Sequence, residues 1–163
     1  MRVVLSAAVI FVLDQITKVW IVFGLNLIER GVIEVAPPYL RLTMAWNRGV
    51  NFGLLAHDSD VVRWGLVAVA LAISAWVWVW IRKPGHGLLA QVSGGVLIGG
   101  ALGNVVDRVL YGAVADFLNM SCCGFVNPYA FNVADIAIFA GAIGLVLFAA
   151  DGKAPADKGP KTP

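Results

Sequence analysis

Four long apolar stretches alternate with polar segments along the chain. They cover residues about 3–25, 64–81, 88–110 and 133–150. At about 1.5 Å per residue, each is long enough to cross roughly 30 Å of hydrocarbon. The pattern predicts four transmembrane helices in one domain over residues 1–150. The remaining residues, 151–163, are rich in Pro, Lys and Asp and are expected to form a disordered cytoplasmic tail.

A different period appears between the first two apolar stretches. Every second residue of one short segment is apolar, namely Leu40, Leu42, Met44 and Trp46. A period of two is typical of a strand with one apolar face. We expect a small sheet over residues about 31–56, with a return strand at 50–55. Its apolar face could rest on the bilayer surface or pack on the helix ends.

Composition supports a membrane protein. The chain has 163 residues, of which 60% are hydrophobic and 13% are charged, and its mean hydropathy is +0.82. Soluble domains carry about 25% charged residues. The expected fold is therefore an all-α integral membrane protein with four transmembrane helices and a small extracytoplasmic β-sheet, a cradle between helices 1 and 2. The net charge of +2 is too small to indicate a nucleic-acid partner.

The positions of Lys and Arg predict the orientation. Arg2, Arg82, Lys83 and the lysines of the tail fall on one side of the four spans. Because positive residues favour the cytoplasmic side, both termini are predicted to be cytoplasmic. Residues 26–60 and 112–131 would then lie outside.

Two further features concern helix packing. Asp14 and Lys18 are spaced i, i+4 in the middle of helix 1 and should face other helices. They could form a proton path or a structural ion pair, and we favour the ion pair. In helix 3, glycines recur every fourth residue at Gly95, Gly99 and Gly103, which allows another helix to approach closely.

The two cysteines, Cys122 and Cys123, are adjacent in the second outer segment. We expect two small apolar residues in a surface loop, with a disulfide between them as the alternative. There is no CxxC motif and no His/Cys cluster, so no metal site is expected.

Polar side chains cluster at the outer ends of the last two apolar stretches: Asn104, Asp107, Arg108, Asp116, Asn132 and Asp135. Charges beside a bilayer are costly unless they are paired or solvated, so such a cluster is a functional hypothesis. The topology puts Asp116 and Asp135 at similar depth. Two carboxylates in contact share a proton, and such a pair can activate water and protonate a leaving group. Alternatively, these groups only cap helices and pair with one another.

Five short motifs carry a resemblance to a known family. They are DQITK at 14–18, NRGVNFG at 47–53, GNVVDR at 103–108, VADF at 114–117 and FNVAD at 131–135. In this order, and on four spans, they resemble the motif set of the lipoprotein signal peptidases, also called signal peptidase II. The resemblance covers nearly the whole chain except the tail.

The resemblance implies a bacterial inner-membrane aspartic endopeptidase without a cofactor. Its substrates would be prolipoproteins, cleaved just before a cysteine that carries diacylglycerol, and its active site would lie near the outer face. By motif position, Asp116 and Asp135 correspond to the catalytic pair. Substrate-site positions are matched by Asn47, Asn104, Arg108 and Asn132, and supporting positions by Asp14, Lys18 and Asp107. Arg48, beside Asn47, is expected to help hold the substrate. Membrane lipids are expected partners, and a monomer is expected.

Two residues depart from the family pattern. Asn51 stands where a small apolar residue is usual, and Ile136 follows Asp135 where a small residue is common. The competing hypothesis is a small four-helix proton-coupled transporter built around Asp14 and Lys18. Transporters bind near the bilayer midplane, often within inverted repeats. In this chain the polar residues are concentrated at one face, and no repeat is present, which favours the peptidase.

Overall fold

The computed structural model describes residues 1–49, 60–125 and 127–149. In chain order the elements are α1 (Arg2–Lys18), a π-helical continuation of α1 (Val19–Gly24), α2 (Leu27–Arg30), β1 (Val32–Ala36), β2 (Leu40–Asn47), α3 (Asp60–Ile81), α4 (Leu88–Tyr111), β3 (Val114–Met120) and α5 (Val133–Phe148). The three strands form one antiparallel sheet in the order β1-β2-β3.

Three of the described helices are long and apolar enough to cross a membrane: Arg2–Gly24, Asp60–Ile81 and Leu88–Tyr111. The fourth apolar helix, α5, has 16 residues and falls short of that length, so its crossing stays a prediction. Its outward side chains are nevertheless strongly apolar and exposed, with Val146 82% exposed. Apolar exposure on this scale indicates contact with lipid.

Helix α4 lies at the centre and contacts α1, α3 and α5. Its small residues explain how closely the neighbours approach. A Cβ added at Gly95 or Gly99 would overlap backbone oxygens of α1, and one at Gly103 would overlap the carboxylate of Asp14. On α5, Gly141 fits against α4 in the same way. The close helix approach predicted from the glycine row is confirmed.

The described residues bury two apolar clusters. One lies among the helices and includes Val77, Ile98 and Leu145. The other lies beneath the sheet, where Leu42 and Phe117 pack against the end of α1 and α2. The apolar face of β2 therefore packs on the helix ends at Leu42, whereas Trp46 stays 38% exposed.

The sheet differs from the prediction in one respect. The expected cradle lay wholly between helices 1 and 2, but its third strand, β3, comes from the segment between α4 and α5. Strand β3 pairs with β2, placing Asp116 opposite Ala45. The alternation in β3 is hard to recognise because nearly every residue from Val114 to Asn119 is buried. The return strand at 50–55, the departure at position 51 and the tail at 151–163 lie outside the described residues.

The interpretation of the two cysteines as separate apolar residues is wrong. Cys122 and Cys123 are joined in a disulfide, and both residues are exposed in the loop that follows β3. Adjacency in sequence gave no geometric basis for preferring this alternative.

Candidate active site

Two carboxylates meet where the sheet joins the helices. Asp116 lies on β3 and is 2% exposed, and Asp135 lies in the first turn of α5 and is 4% exposed. The chain enters β3 through a left-handed turn at Gly112, where φ is 78°. That reversal lets β3 run back beside the end of α4 and carry Asp116 into the interior. Asn132 contacts both residues, so they lie close together, whereas their common depth in a bilayer stays a prediction.

The side chain of Asn132 connects the two carboxylates. Its amide donates to Oδ1 of Asp116 at 2.6 Å, while its oxygen accepts from the backbone N of Asp135 at 2.9 Å. The carboxylate of Asp135 in turn accepts from the backbone N of Asn132 at 3.2 Å. This reciprocal pair is a capping box that begins α5. Asn132 therefore both caps α5 and connects Asp116 with Asp135.

Two other asparagines orient the same carboxylates. Asn47, the last residue of β2, donates to Oδ2 of Asp116 at 3.0 Å. From α4, Asn104 donates to Oδ1 of Asp135 at 2.9 Å and accepts from Nζ of Lys18 at 3.0 Å. Asp116 is thus held by two side-chain amides, and Asp135 by one side-chain amide and one backbone N–H. A carboxylate fixed by several donors keeps one orientation.

A buried acid–lysine–acid set supports this layer. Nζ of Lys18 lies 2.8 Å from Asp14 and 2.8 Å from Asp107. Asp14 also accepts from the backbone N of Ala134 at 2.9 Å, and Asp107 accepts from the backbone N of Ala115 at 3.1 Å. Both accepting carboxylates therefore fix the backbone next to Asp135 and Asp116. An acid is also favourable at a helix N-terminus, where the amides of α5 lack partners.

Arg108 approaches the site from the last turn of α4. Its Nη2 donates to the carbonyl of Gly49 at 2.9 Å, and its Nη1 lies 3.4 Å from the carbonyl of Asn104. Its Nε is buried and finds no acceptor within the part of the chain that the structure describes. The ion-pair partner shown for Asp107 is Lys18, and the hydrogen bonds of Arg108 named above go to backbone carbonyls. Arg48 follows β2 and is exposed.

Burial is the main cause of an unusual electrostatic environment at Asp116. Burial, with a smaller contribution from the neighbouring carboxylate of Asp135, raises the pKa of this carboxyl to about 7. Hydrogen bonds from Asn47 and Asn132 act in the opposite direction but do not offset burial. A carboxyl of this kind holds a proton near neutral pH and can donate it.

Sequence reasoning missed two contributors. Gln15 contacts both Asp14 and Asp107 through its amide, at 3.1 and 3.4 Å. Asn119 is buried and donates to the carbonyls of Asn127 and Tyr129, at 2.8 Å each. It thereby fixes the loop that leads to Asn132. A second polar residue near the end of a mostly apolar strand was the available signal for Asn119.

The described residues contain no group of three or more His, Cys, Asp or Glu side chains that could hold a metal ion. What the site offers is two buried carboxylates, amide donors, a guanidinium and a lysine. The arrangement defines a class: a multi-helix membrane protein with a buried two-carboxylate site at the junction of sheet and helices.

Comparisons with known proteins identify the family. The sequence profile described as signal peptidase (SPase) II matches residues 6–150. The lipoprotein signal peptidase of Methylorubrum extorquens (strain PA1) is 42% identical over 150 residues, which cover 92% of this chain and 84% of the relative. That of Rhodopseudomonas palustris (strain TIE-1) is 36% identical over 160 residues, 96% of each chain. The chain therefore belongs to the signal peptidase II family and is a membrane protease.

Solved structures agree with this assignment. A bacterial membrane enzyme determined by the in meso method at 2.3 Å resolution matches with a TM-score of 0.77 and 26% identity, covering 98% of this chain and 94% of the other. A second such enzyme, at 1.9 Å resolution, gives a TM-score of 0.74 and 28% identity, with coverage of 89% and 90%. The transporter alternative is a different class from this family and is not retained.

Proposed function

We propose that this protein is an intramembrane aspartic endopeptidase that removes signal peptides from prolipoproteins. Asp116 and Asp135 form its catalytic pair. The observation that carries the proposal is Asn132, which hydrogen-bonds Asp116 with its side chain and forms a reciprocal cap with Asp135. Two buried acids connected in this way, one with a pKa of about 7, have the properties that water activation and leaving-group protonation require.

In the proposed mechanism, one carboxyl group acts as the acid and the other as the base. We assign the acid role to Asp116, whose pKa is raised to about 7 by burial, and the base role to Asp135, whose carboxylate lies in the first turn of α5, where negative charge is favoured. Asp135 takes a proton from a water whose oxygen attacks the scissile carbonyl carbon, while Asp116 gives its proton to the carbonyl oxygen. Asp135 then gives this proton to the leaving nitrogen as the C–N bond breaks, and Asp116 regains a proton from a hydroxyl of the tetrahedral intermediate. This sequence releases a new carboxyl terminus and a new amine.

The surrounding polar groups position the acids and the substrate. Asn104, Asn132 and Asn47 hold the carboxylates by the hydrogen bonds described above. The guanidinium of Arg108 has one buried donor, Nε, that lacks an acceptor in the described residues, and we assign it to a substrate carbonyl. Arg48, exposed beside Asn47, is assigned to the outer part of the substrate. No metal or cofactor takes part in this scheme.

The remaining charged residues support the site. Asp14, Lys18 and Asp107 tie α1 and α4 to the backbone at Ala134 and Ala115. Removing one member of a buried ion set leaves an uncompensated charge, which costs about 3–5 kcal/mol. We assign these three residues to positioning rather than to proton transport.

The substrate is proposed to be lipidated. Relatives of this chain are named lipoprotein signal peptidases. A membrane-anchored precursor with a diacylglyceryl-modified cysteine would arrive at a fixed depth, since each methylene adds about 0.8 kcal/mol to anchoring. The enzyme would act as a monomer in the bacterial inner membrane, with both termini cytoplasmic and the dyad near the outer face.

The test uses purified protein in one membrane mimic and two matched precursors, with and without the diacylglyceryl group. We expect cleavage of the lipidated precursor just before the modified cysteine, and none of the unmodified one. Mass spectrometry of both fragments locates the cut. Equal cleavage of the two precursors would show that the lipid is not recognised, and cleavage elsewhere would contradict the proposed site.

A further inference from the structure

An apolar groove begins at Asp135 and follows the outward face of α5. Its volume is about 430 Å³, within the range of sites that hold small molecules. Its lining beyond Asp135 is wholly apolar and includes Phe131, Ile136, Phe139, Ala140 and Ile143. The catalytic scheme uses none of these apolar residues.

The spacing of the lining residues sets the direction of the groove. Ile136, Phe139, Ala140 and Ile143 recur every three or four residues, so they share one face of α5 over two turns. Two turns correspond to about 10 Å along the helix axis. The groove therefore leads away from the catalytic carboxylate along α5. It has the direction that an acyl chain of the outer leaflet takes from the head-group region toward the bilayer centre.

The size of the groove limits what it can hold. A groove of about 430 Å³ over that length is too narrow to enclose a peptide helix, whose diameter is about 10–12 Å with side chains. A single extended apolar chain fits this shape. The groove also opens outward, because Ile136, Phe139 and Ile143 are 50, 56 and 59% exposed. A chain already dissolved in lipid could thus enter from the side.

We propose that this groove holds one acyl chain of the substrate's diacylglyceryl group and thereby sets the position of the modified cysteine relative to Asp135. This inference rests on the proposed function. Transfer of a chain from lipid to an apolar wall gains little from the hydrophobic effect, because lipid is equally apolar. What the groove provides is alignment, and a misplacement of about 1 Å at the reacting atoms can cost about 100-fold in rate.

Two features make Ala140 the best position for a test. Its methyl group lines the middle of the groove, and it is exposed, so a larger side chain can be accommodated without disturbing the interior. Ala140→Phe should fill the space that the acyl chain needs. Val79→Phe adds an aromatic ring to α3, at a 61% exposed residue on a different helix from the groove, and is the matched control.

The assay compares dipalmitoyl and dibutyryl forms of one precursor. With the dipalmitoyl form, we expect Ala140→Phe to lower kcat/KM by roughly 10- to 100-fold and Ala140→Leu to lower it less. With the dibutyryl form, whose chains end before Ala140, Ala140→Phe should match wild type. Val79→Phe should match wild type with both forms. Thermal unfolding in detergent establishes that each variant is folded.

The outcomes separate this inference from the proposed function. If wild type cleaves both precursors and Asp116→Asn cleaves neither, the proposed function stands. The groove assignment is then overturned if Ala140→Phe cleaves the dipalmitoyl form like wild type. It is also overturned if the loss is equal for both chain lengths, which would indicate that the groove holds signal-peptide side chains. If wild type leaves both precursors intact, the proposed function and the groove assignment fail together.

Discussion

At the scale of single residues, the site depends on side chains that each serve two elements. Asn132 caps α5 and contacts Asp116 on β3, and Lys18 of α1 contacts Asp14, Asp107 and Asn104. The identities of these residues were recognisable from motif order. Their pairing was not, because Lys18 could be matched from spacing only to Asp14, its neighbour one turn away. The contact with Asp107 depends on how α1 and α4 pack.

The first prediction concerns the catalytic acids. Asp116→Asn and Asp135→Asn should each abolish cleavage, because the amide nearly preserves size while removing the acid–base group. The double variant should be no worse than either single one, since residues that act as a unit are not additive. Initial rates with the lipidated precursor measure this, and normal insertion and purification serve as the control. Substantial activity in either single variant would contradict the aspartic mechanism.

The second prediction concerns pH. The reaction needs the protonated form of Asp116, whose pKa is raised to about 7 chiefly by burial. That form is present below pH 7 and is lost as the pH rises through 7, so kcat/KM should decline on the alkaline side with an apparent pKa near 7. Since kcat/KM reports the free enzyme, a pH–rate profile with the lipidated precursor measures it directly. A profile that is flat up to pH 9 would assign the proton to another group.

At the scale of elements, the helices were more predictable than the sheet. Apolar runs located α1, α3, α4 and α5 to within a few residues, because lipid requires long uninterrupted segments. The sheet depended on pairing between distant segments, and β2 gave a clear period of two while β3 did not. A strand buried on both faces lacks alternation. For that reason the sequence showed where Asp116 lies in the chain but not that it belongs to the sheet.

The third prediction concerns the contact between α1 and α4. A Cβ at Gly103 would overlap the carboxylate of Asp14, which holds the first turn of α5 through Ala134. Gly103→Ala should therefore displace Asp14, costing about 1–3 kcal/mol of stability from overpacking and lowering kcat/KM about tenfold or more through loss of alignment. Thermal unfolding and steady-state kinetics measure the two effects.

Gly65 provides the matched control for this substitution. It lies within α3, and a Cβ added there meets nothing within 4 Å. Gly65→Ala should leave activity unchanged, and the substitution should favour the helix, since Ala exceeds Gly in helix propensity. If both variants behave alike, the close approach at Gly103 does not support the site.

At the scale of the whole molecule, the two ends of the helices carry different polar and charged groups. The proposed catalytic carboxylates, the disulfide loop and the sheet, through β3, lie at the end of the helices where α4 ends and α5 begins. Arg82 and Lys83 lie in the turn at the opposite end, between α3 and α4. Since positive residues favour the cytoplasmic side, this arrangement predicts that the proposed dyad lies at the outer face, where a lipidated precursor would be presented.

The last prediction tests this orientation. Cys122 and Cys123 are exposed and joined in a disulfide, so a membrane-impermeant maleimide should label them in intact spheroplasts only after reduction by an impermeant reductant. In a variant with both cysteines replaced by Ser, Lys83→Cys should be labelled only after permeabilisation, because it lies in the inner turn. The opposite pattern would place the disulfide loop and the dyad on the cytoplasmic side. In that orientation the acids would face the leaflet that does not hold the lipidated cysteine, and the proposed function could not stand.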